Sequence, residues 1–253
     1  MSSTEFDKET YQPAADLLKG KVVLVTGAGG GIGRVAAEAY AKYGATVILL
    51  GKTTAKLEKV YDAIVEAGGA TPAIYPMNLE GASPTDYEDL ANVLNKEFGK
   101  LDGLLQNAGI LGTLSPIENQ SIETWYKVQQ INVNATFMLT QACLPLLKKA
   151  PSASIIFTSS GVGRKGRAYW GAYAVSKFAT EGFMEILADE LETNTKVRSN
   201  CINPGACRTA MRAAAYPGED ASTLPTPNEI MPLYLYLMGD DSSEISGQSL
   251  DAQ

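Results

Sequence analysis

The sequence predicts an α/β fold in one domain: a doubly wound parallel sheet flanked by helices on both faces. Three observations carry this. Short apolar runs alternate with helical patterns from residue 20 onward, the order that β-α-β units produce. Runs such as Val22-Val23-Leu24-Val25-Thr26 and Ile155-Ile156-Phe157 are continuously apolar, as strands covered on both faces require. The glycine-rich and polar motifs fall just after such runs or in the helix that follows, where open parallel sheets hold their ligands.

Residues 1 to 19 form a polar, acidic N-terminal arm, and Pro13 and the acidic residues offer little packing surface. The remainder, 20 to 253, reads as the single domain, with no compositional break to mark a linker. Val22–Thr26 is the first strand. A helix from Gly31 to Tyr43 carries Ile32, Val35, Ala36, Ala39 and Tyr40 at helical spacing, and Gly44 ends it. Thr46–Leu50 is the second strand. Lys56–Ala67 is a helix closed by Gly68-Gly69, and Ala73–Tyr75 is a short third strand. Pro84–Phe98 is the third helix, and Leu101–Leu105 is a strand leading into Gln106-Asn107-Ala108-Gly109. One long helix is expected over 122–148, bent at Pro145. After the strand near Ser154 comes a helix over Gly171–Glu192, then a strand over Lys196–Ile202. Residues 206–228, rich in Ala, Pro and Thr, read as a substrate lid; Ile230–Met238 is helical and Gln248–Ala252 is a last strand.

A length of 253 residues and 45% apolar composition suit one large buried-core domain. The net charge of −7 disfavours nucleic acid and anionic membranes as partners. There is no histidine, which excludes histidine triads and histidine-ligated zinc. Cys143, Cys201 and Cys207 show neither metal nor disulfide spacing and read as reduced thiols of a cytoplasmic protein. No bound metal, signal peptide or membrane-spanning run is expected.

Gly27-Ala28-Gly29-Gly30-Gly31-Ile32-Gly33 lies between the first strand and its helix. Glycines let the backbone approach phosphates, and the helix N-terminus favours their charge. Gly27, Gly31 and Gly33 fit G-x-x-x-G-x-G; neither G-x-G-x-x-G nor the nucleoside-triphosphate loop fits. The fold is therefore expected to be of Rossmann type, with a dinucleotide, a flavin or a methyl donor on this loop. An NAD site usually places an acid at the end of the second strand. That end here is Leu49-Leu50-Gly51-Lys52-Thr53, and Arg34 follows the loop. Two cations and no carboxylate favour NADP(H), with NAD(H) the alternative.

The stretch 158–177 holds Ser160, Tyr173 and Lys177. Residues four apart share a helix face, so the Tyr173 hydroxyl and the Lys177 ammonium can be neighbours. A lysine cation lowers a tyrosine pKa, and such a phenol exchanges protons near neutral pH. Ser160 could bond the same substrate oxygen.

In order and spacing, Thr26-Gly27-x-x-x-Gly31-Ile32-Gly33, Asn107-Ala108-Gly109, Asn132, Ser160, Tyr173-x-x-x-Lys177 and Pro204-Gly205 with Thr209 resemble the short-chain dehydrogenase/reductase family over residues 20 to 252. Segments such as 132–141, 170–173 and 231–235 are similar to the YciK-like bacterial oxidoreductases. The resemblance implies interconversion of a carbonyl and a secondary alcohol. Tyr173 would be the general acid/base, Lys177 would hold the nicotinamide ribose and lower the tyrosine pKa, Ser160 would orient the carbonyl, and Asn132 would hold a relay water. It implies cofactor contacts from Gly27, Gly29, Gly31, Ile32 and Gly33, from Asn107, Ala108 and Gly109 along the adenosine, and from Pro204, Gly205 and Thr209 at the nicotinamide. Asn78 and Leu79 after the third strand, with Gln106, would lie on the adenine side. Asn78 stands where an acid is frequent, and Gln106 where asparagine is frequent. A homodimer or homotetramer is implied, built on helices 122–148 and 171–192 with Phe178, Phe183, Met184 and Leu187 offering apolar surface. A 3-oxoacyl-carrier-protein reductase docked through Arg164, Lys165 and Arg167, and a non-catalytic dinucleotide sensor or scaffold, are the alternatives.

Overall fold

In the computed structural model, which describes residues 6–8 and 10–253, seven strands form one sheet. They are β1 (Val22–Thr26), β2 (Thr46–Gly51), β3 (Ala73–Pro76), β4 (Gly103–Gln106), β5 (Ala153–Thr158), β6 (Val197–Asn203) and β7 (Ser249–Asp251). Their order is β3-β2-β1-β4-β5-β6-β7, and every pairing is parallel. The chain leaves β1 toward β2 on one side and later places β4 on the other. The strand order reverses there, and a crevice opens at the carboxyl ends.

The helices are α1 (Gly31–Lys42), α2 (Thr54–Glu66), α3 (Pro84–Phe98), α4 (Ile122–Gln129), α5 (Ala135–Leu147), α6 (Gly171–Glu192), α7 (Ala210–Ala215) and α8 (Met231–Met238). Two cores sandwich the sheet. Val23, Val25, Val47 and Leu49 face the core made with α1, α2 and α8. Leu24, Ile48, Leu50 and Phe157 face the core made with α3, α5 and α6. Alternate residues of β1 and β2 thus serve opposite cores, which is why those strands show no polar alternation.

Three expectations need correction. The single helix over 122–148 is two helices joined by a π-helical turn over Gln130–Asn134, and Pro145 lies inside α5. The wider turn sits at Asn132, whose side chain bonds the loop after β4 rather than its own helix. The arm is also a packing element. Leu18 is fully buried, its N–H donates to the Tyr43 carbonyl at 2.9 Å, and Phe6 and Tyr11 stack on Tyr236 of α8 at 4.9 and 5.3 Å. Its apolar residues are sparse but turn toward one groove; residues 1–5 and 9 of the arm lie outside the described residues. Finally, Met184 and Leu187, expected at an oligomer face, are buried in the protein's own core, because their positions on α6 face the sheet.

Candidate active site

Thr26 ends β1 and ties the crevice together. Its hydroxyl donates to the Leu105 carbonyl at 3.2 Å and accepts from the N–H groups of Asn107 and Ala108, both at 2.9 Å. Asn107 returns a bond to the Thr26 carbonyl at 3.3 Å and accepts one from Thr158 at 3.3 Å. The ends of β1, β4 and β5 are thereby held in fixed register beside the glycine loop.

Gly27 takes φ +66, a region side chains rarely adopt. At Gly33 a Cβ would collide with the Gly27 carbonyl oxygen, so α1 can approach β1 this closely only with glycine there. The cap residue Gly30 supplies no side-chain hydrogen bond. The first N–H groups of α1 therefore remain free for a ligand. A cradle that side chains would fill, ending on an uncapped helix, fits the diphosphate of a dinucleotide.

From this cradle a cavity of about 370 Å³ runs along the carboxyl ends of the strands. Gly27, Gly31 and Ile32 form one end, Asn107, Ala108 and Gly109 the flank, and Ser160, Tyr173 and Lys177 the far wall. Pro204, Gly205 and Thr209 close the opposite side, followed by Met211 and Arg212 of the expected lid. That lid is ordered: Thr209 caps α7 by accepting from Arg212 N–H at 3.2 Å, and Arg208 ties it to the Ser222 and Leu224 carbonyls.

Tyr173 is 8% exposed, and burial pushes its phenol up to about 12 while a hydrogen bond with Ser160 pulls the other way. In the protein alone burial thus outweighs the lowering expected from Lys177. The Lys177 ammonium lies 5.5 Å from the Tyr173 ring centre and donates to the Thr158 carbonyl at 2.6 Å. Burial brings Lys177 down to about 8, opposed by Cys201 and Glu181. Asn132, 2% exposed, accepts from Ile110 N–H at 2.9 Å and donates to the Ile110 carbonyl and the Ser176 hydroxyl, both at 3.0 Å. It fixes the loop that carries Gly109, where an added Cβ would lie 3.8 Å from Lys177 Nζ.

Other expected residues stand apart from this cavity. Gln106 is buried and donates to the Thr136 carbonyl and the Thr140 hydroxyl of α5, so its side chain anchors a helix instead of reaching an adenine. Leu79 packs in the core and Asn78 caps a turn by accepting from Glu80 N–H at 3.3 Å. Arg34 pairs with Glu38 one turn along α1 at 2.7 Å. Lys52 is exposed at the end of β2. Gly29 lies under Lys56, whose Cβ is 3.0 Å from where a Gly29 Cβ would be.

Sequence reasoning missed several neighbours. Lys56 stands in the first turn of α2, a turn without acids. Trp170, next to α6, sits 5.8 Å from Tyr173 and 5.9 Å from Tyr216. Glu181 lies one turn beyond Lys177 and accepts a hydrogen bond from Ser159, the neighbour of Ser160. The i, i+4 spacing from Lys177 to Glu181 was the available signal. Among the described residues no group of His, Cys, Asp and Glu is placed to hold a metal ion, and no helix is long and apolar enough to cross a membrane.

A family profile described as short chain dehydrogenase matches residues 21–220. The chain is 54% identical over 243 residues to the uncharacterized oxidoreductase YciK of Escherichia coli (strain K12), covering 96% of each protein. It superimposes with TM-score 0.95 and 58% identity on a short chain dehydrogenase structure from Pseudomonas syringae, over 98% of this chain and 99% of that one. A short chain dehydrogenase structure from Shigella flexneri 2a, solved with NADP, matches at TM-score 0.93 and 54% identity, over 95% of this chain and 100% of that one.

Proposed function

The chain belongs to the short-chain dehydrogenase family of oxidoreductases, and from that premise we propose that it interconverts a carbonyl and a secondary alcohol with NADP(H). The observation that carries this reading is the convergence of Ser160, Tyr173 and Lys177 on a cavity that continues to the glycine cradle. Bound NADPH supplies a hydride to the carbonyl carbon. Everything else falls to the protein. Ser160 orients the carbonyl oxygen, and Tyr173 gives it a proton. That phenol is protonated at neutral pH, and burial raises it further, which suits the reductive direction. In oxidation Tyr173 takes the proton back, and a charged Lys177 near the ring favours the phenolate. Asn132 holds the loop carrying Gly109 and a relay water toward Lys177. Gly27 to Gly33 receive the diphosphate, Asn107 to Gly109 flank the adenosine, and Pro204, Gly205 and Thr209 hold the nicotinamide.

NADP(H) is favoured over NAD(H) because the end of β2 carries Lys52, with Lys56 following, where an acid would bond a free ribose hydroxyl. The Shigella relative's NADP complex supports the same choice. Arg34 would assist if its bond to Glu38 opens. We read the protein as cytoplasmic, in keeping with three buried free cysteines. We also read it as a homo-oligomer: Tyr126, Phe137, Val175, Phe178 and Ile186 leave apolar surface exposed on α4, α5 and α6. Light scattering of wild type and Phe178→Asp tests this, and a monomeric wild type would overturn it.

The test of function is Tyr173→Phe. It should abolish NADPH oxidation across a carbonyl panel while NADPH fluorescence titration still shows binding. Full turnover by the variant would sink the assignment. A wild type that binds NADPH yet turns over nothing would point to a sensor.

A further inference from the structure

A second chamber of about 450 Å³ adjoins this cavity at Ser160. The two share Ser160, Trp170, Gly205 and Arg212 as walls. The second chamber is lined by Lys165, Arg167, Arg212 and Tyr216 and by no acidic side chain. The chain as a whole carries −7, so a cationic chamber does not follow from composition.

Its cations are not equivalent. Arg212 is neutralised by Glu219, with paired bonds of 2.6 and 2.5 Å, and lies 3.8 Å from the centre of the Tyr216 ring. Arg167 donates to the Tyr216 hydroxyl at 2.7 Å, a bond that positions its guanidinium without neutralising it. Lys165 is exposed, with no side-chain partner among the described residues. Two uncompensated positive charges therefore face a chamber that begins at Ser160. Trp170 stands between the rings of Tyr173 and Tyr216, and Tyr216 in turn holds Arg167. The backbone that presents Trp170 is strained: Tyr169 takes φ +74, held by Ser115 N–H donating to its carbonyl at 3.0 Å. Strain of this kind persists where the surroundings enforce one arrangement.

We infer that the substrate carries an anionic group, a carboxylate or a phosphate, seated by Lys165 and Arg167 while its carbonyl meets Ser160 and Tyr173. The inference rests on the carbonyl-reducing reading and adds the substrate's charge to it. The aromatic pair covers the stretch between carbonyl and anion. Lysine and arginine suit such oxygens through charge-assisted hydrogen bonds.

The test uses matched pairs: oxo acids of increasing chain length, each with its methyl ester, reduced by the intact protein with NADPH. The acid should be preferred in kcat/KM by about tenfold or more, the worth of one hydrogen bond to a charged group. Lys165→Ala and Arg167→Ala should each reduce that preference, chiefly through KM, and added salt should do the same. Ketones bearing a phosphate ester in place of the carboxylate distinguish the two sources. Equal or greater activity on the esters would overturn the inference while leaving the carbonyl-reducing reading standing. If no pair is turned over, calorimetry of the NADPH-loaded protein with benzoate and benzamide decides. Benzoate binding that Lys165→Ala weakens supports the chamber; equal binding of both, or of neither, overturns it.

Discussion

The Lys177 ammonium donates to the main-chain oxygen of Thr158 at 2.6 Å, so the last carbonyl of β5 holds the cation deep in the wall of the site. Burial lowers this lysine to about 8 from its ordinary 10.5. Between those values the unfolded chain keeps a proton that the folded chain has released, so Lys177 makes the free protein more stable as pH rises through that window. Cofactor binding should run the other way. A complex that needs the cation takes up a proton, so NADPH affinity should be highest below about 8 and fall several-fold above it. Fluorescence titrations from about pH 6.5 to about pH 9.5, spanning the shifted lysine, test this against Lys177→Met. An identical pH dependence in the variant would assign the fall to another group.

Cofactor choice should depend more on Lys52 than on Arg34. Arg34 is already paired with Glu38 at 2.7 Å, whereas Lys52 is exposed at the end of β2. Lys52→Asp should move the ratio of NADPH to NADH affinity toward NADH by about tenfold or more, since a new carboxylate would repel a 2′-phosphate and bond a ribose hydroxyl. Arg34→Ala should add a smaller shift. A ratio untouched by Lys52→Asp would place the discrimination elsewhere, with Lys56 the next residue to change.

Two glycines of the same loop should differ in their response to alanine. At Gly33 the new Cβ would press on the Gly27 carbonyl, and backbone cannot yield as a side chain does. Gly33→Ala should lose NADPH binding and lower Tm. At Gly30 no atom lies within 4 Å of the Cβ position and the backbone is extended, with φ −175. Gly30→Ala should keep the wild-type Tm. Thermal melts of both variants are sufficient, and a destabilised Gly30→Ala would contradict the packing described.

Leu18→Ala should cost about 2 to 5 kcal/mol, the usual range for a fully buried leucine. Its side chain has no exposure and belongs to the core shared with α1 and α8. Urea denaturation measures this directly. A loss below roughly 0.5 kcal/mol, the scale of a surface change, would mean that the arm is not a structural part of the domain.

What the sequence revealed divides along physical lines. The central strands β1, β2 and β5 were legible because both their faces are covered and their runs are almost wholly apolar; β1 has the bounds the sequence predicts. The residues that line the cavity were legible because a glycine loop after a strand and a Tyr-x-x-x-Lys pair on a helix are local patterns of fixed spacing. The π turn at Gln130–Asn134 was not, since nothing in its composition differs from ordinary helix. Its cause is a tertiary bond from Asn132 to Ile110 across the fold. Gln106 was misjudged for a related reason. Its place in the motif Gln106-Asn107-Ala108-Gly109 resembles one that faces the adenine, but two hydrogen bonds to α5 hold its side chain inside. The arm was misread because a few apolar residues among polar ones look idle until the groove they fill is known.

That arm also bears on how the chain is made. Tyr11 donates to Asp241 at 2.7 Å across a separation of 230 residues, and Phe6 stacks on Tyr236. Domains fold as units while synthesis proceeds from the N-terminus. The arm must therefore wait, undocked, until α8 has followed it out of the ribosome. The groove for Leu17 at Gly239 does not exist before then. Closing the arm over α8 would be among the last steps of assembly, and a nascent chain stalled before α8 emerges would expose the arm's aromatic residues to chaperones and proteases.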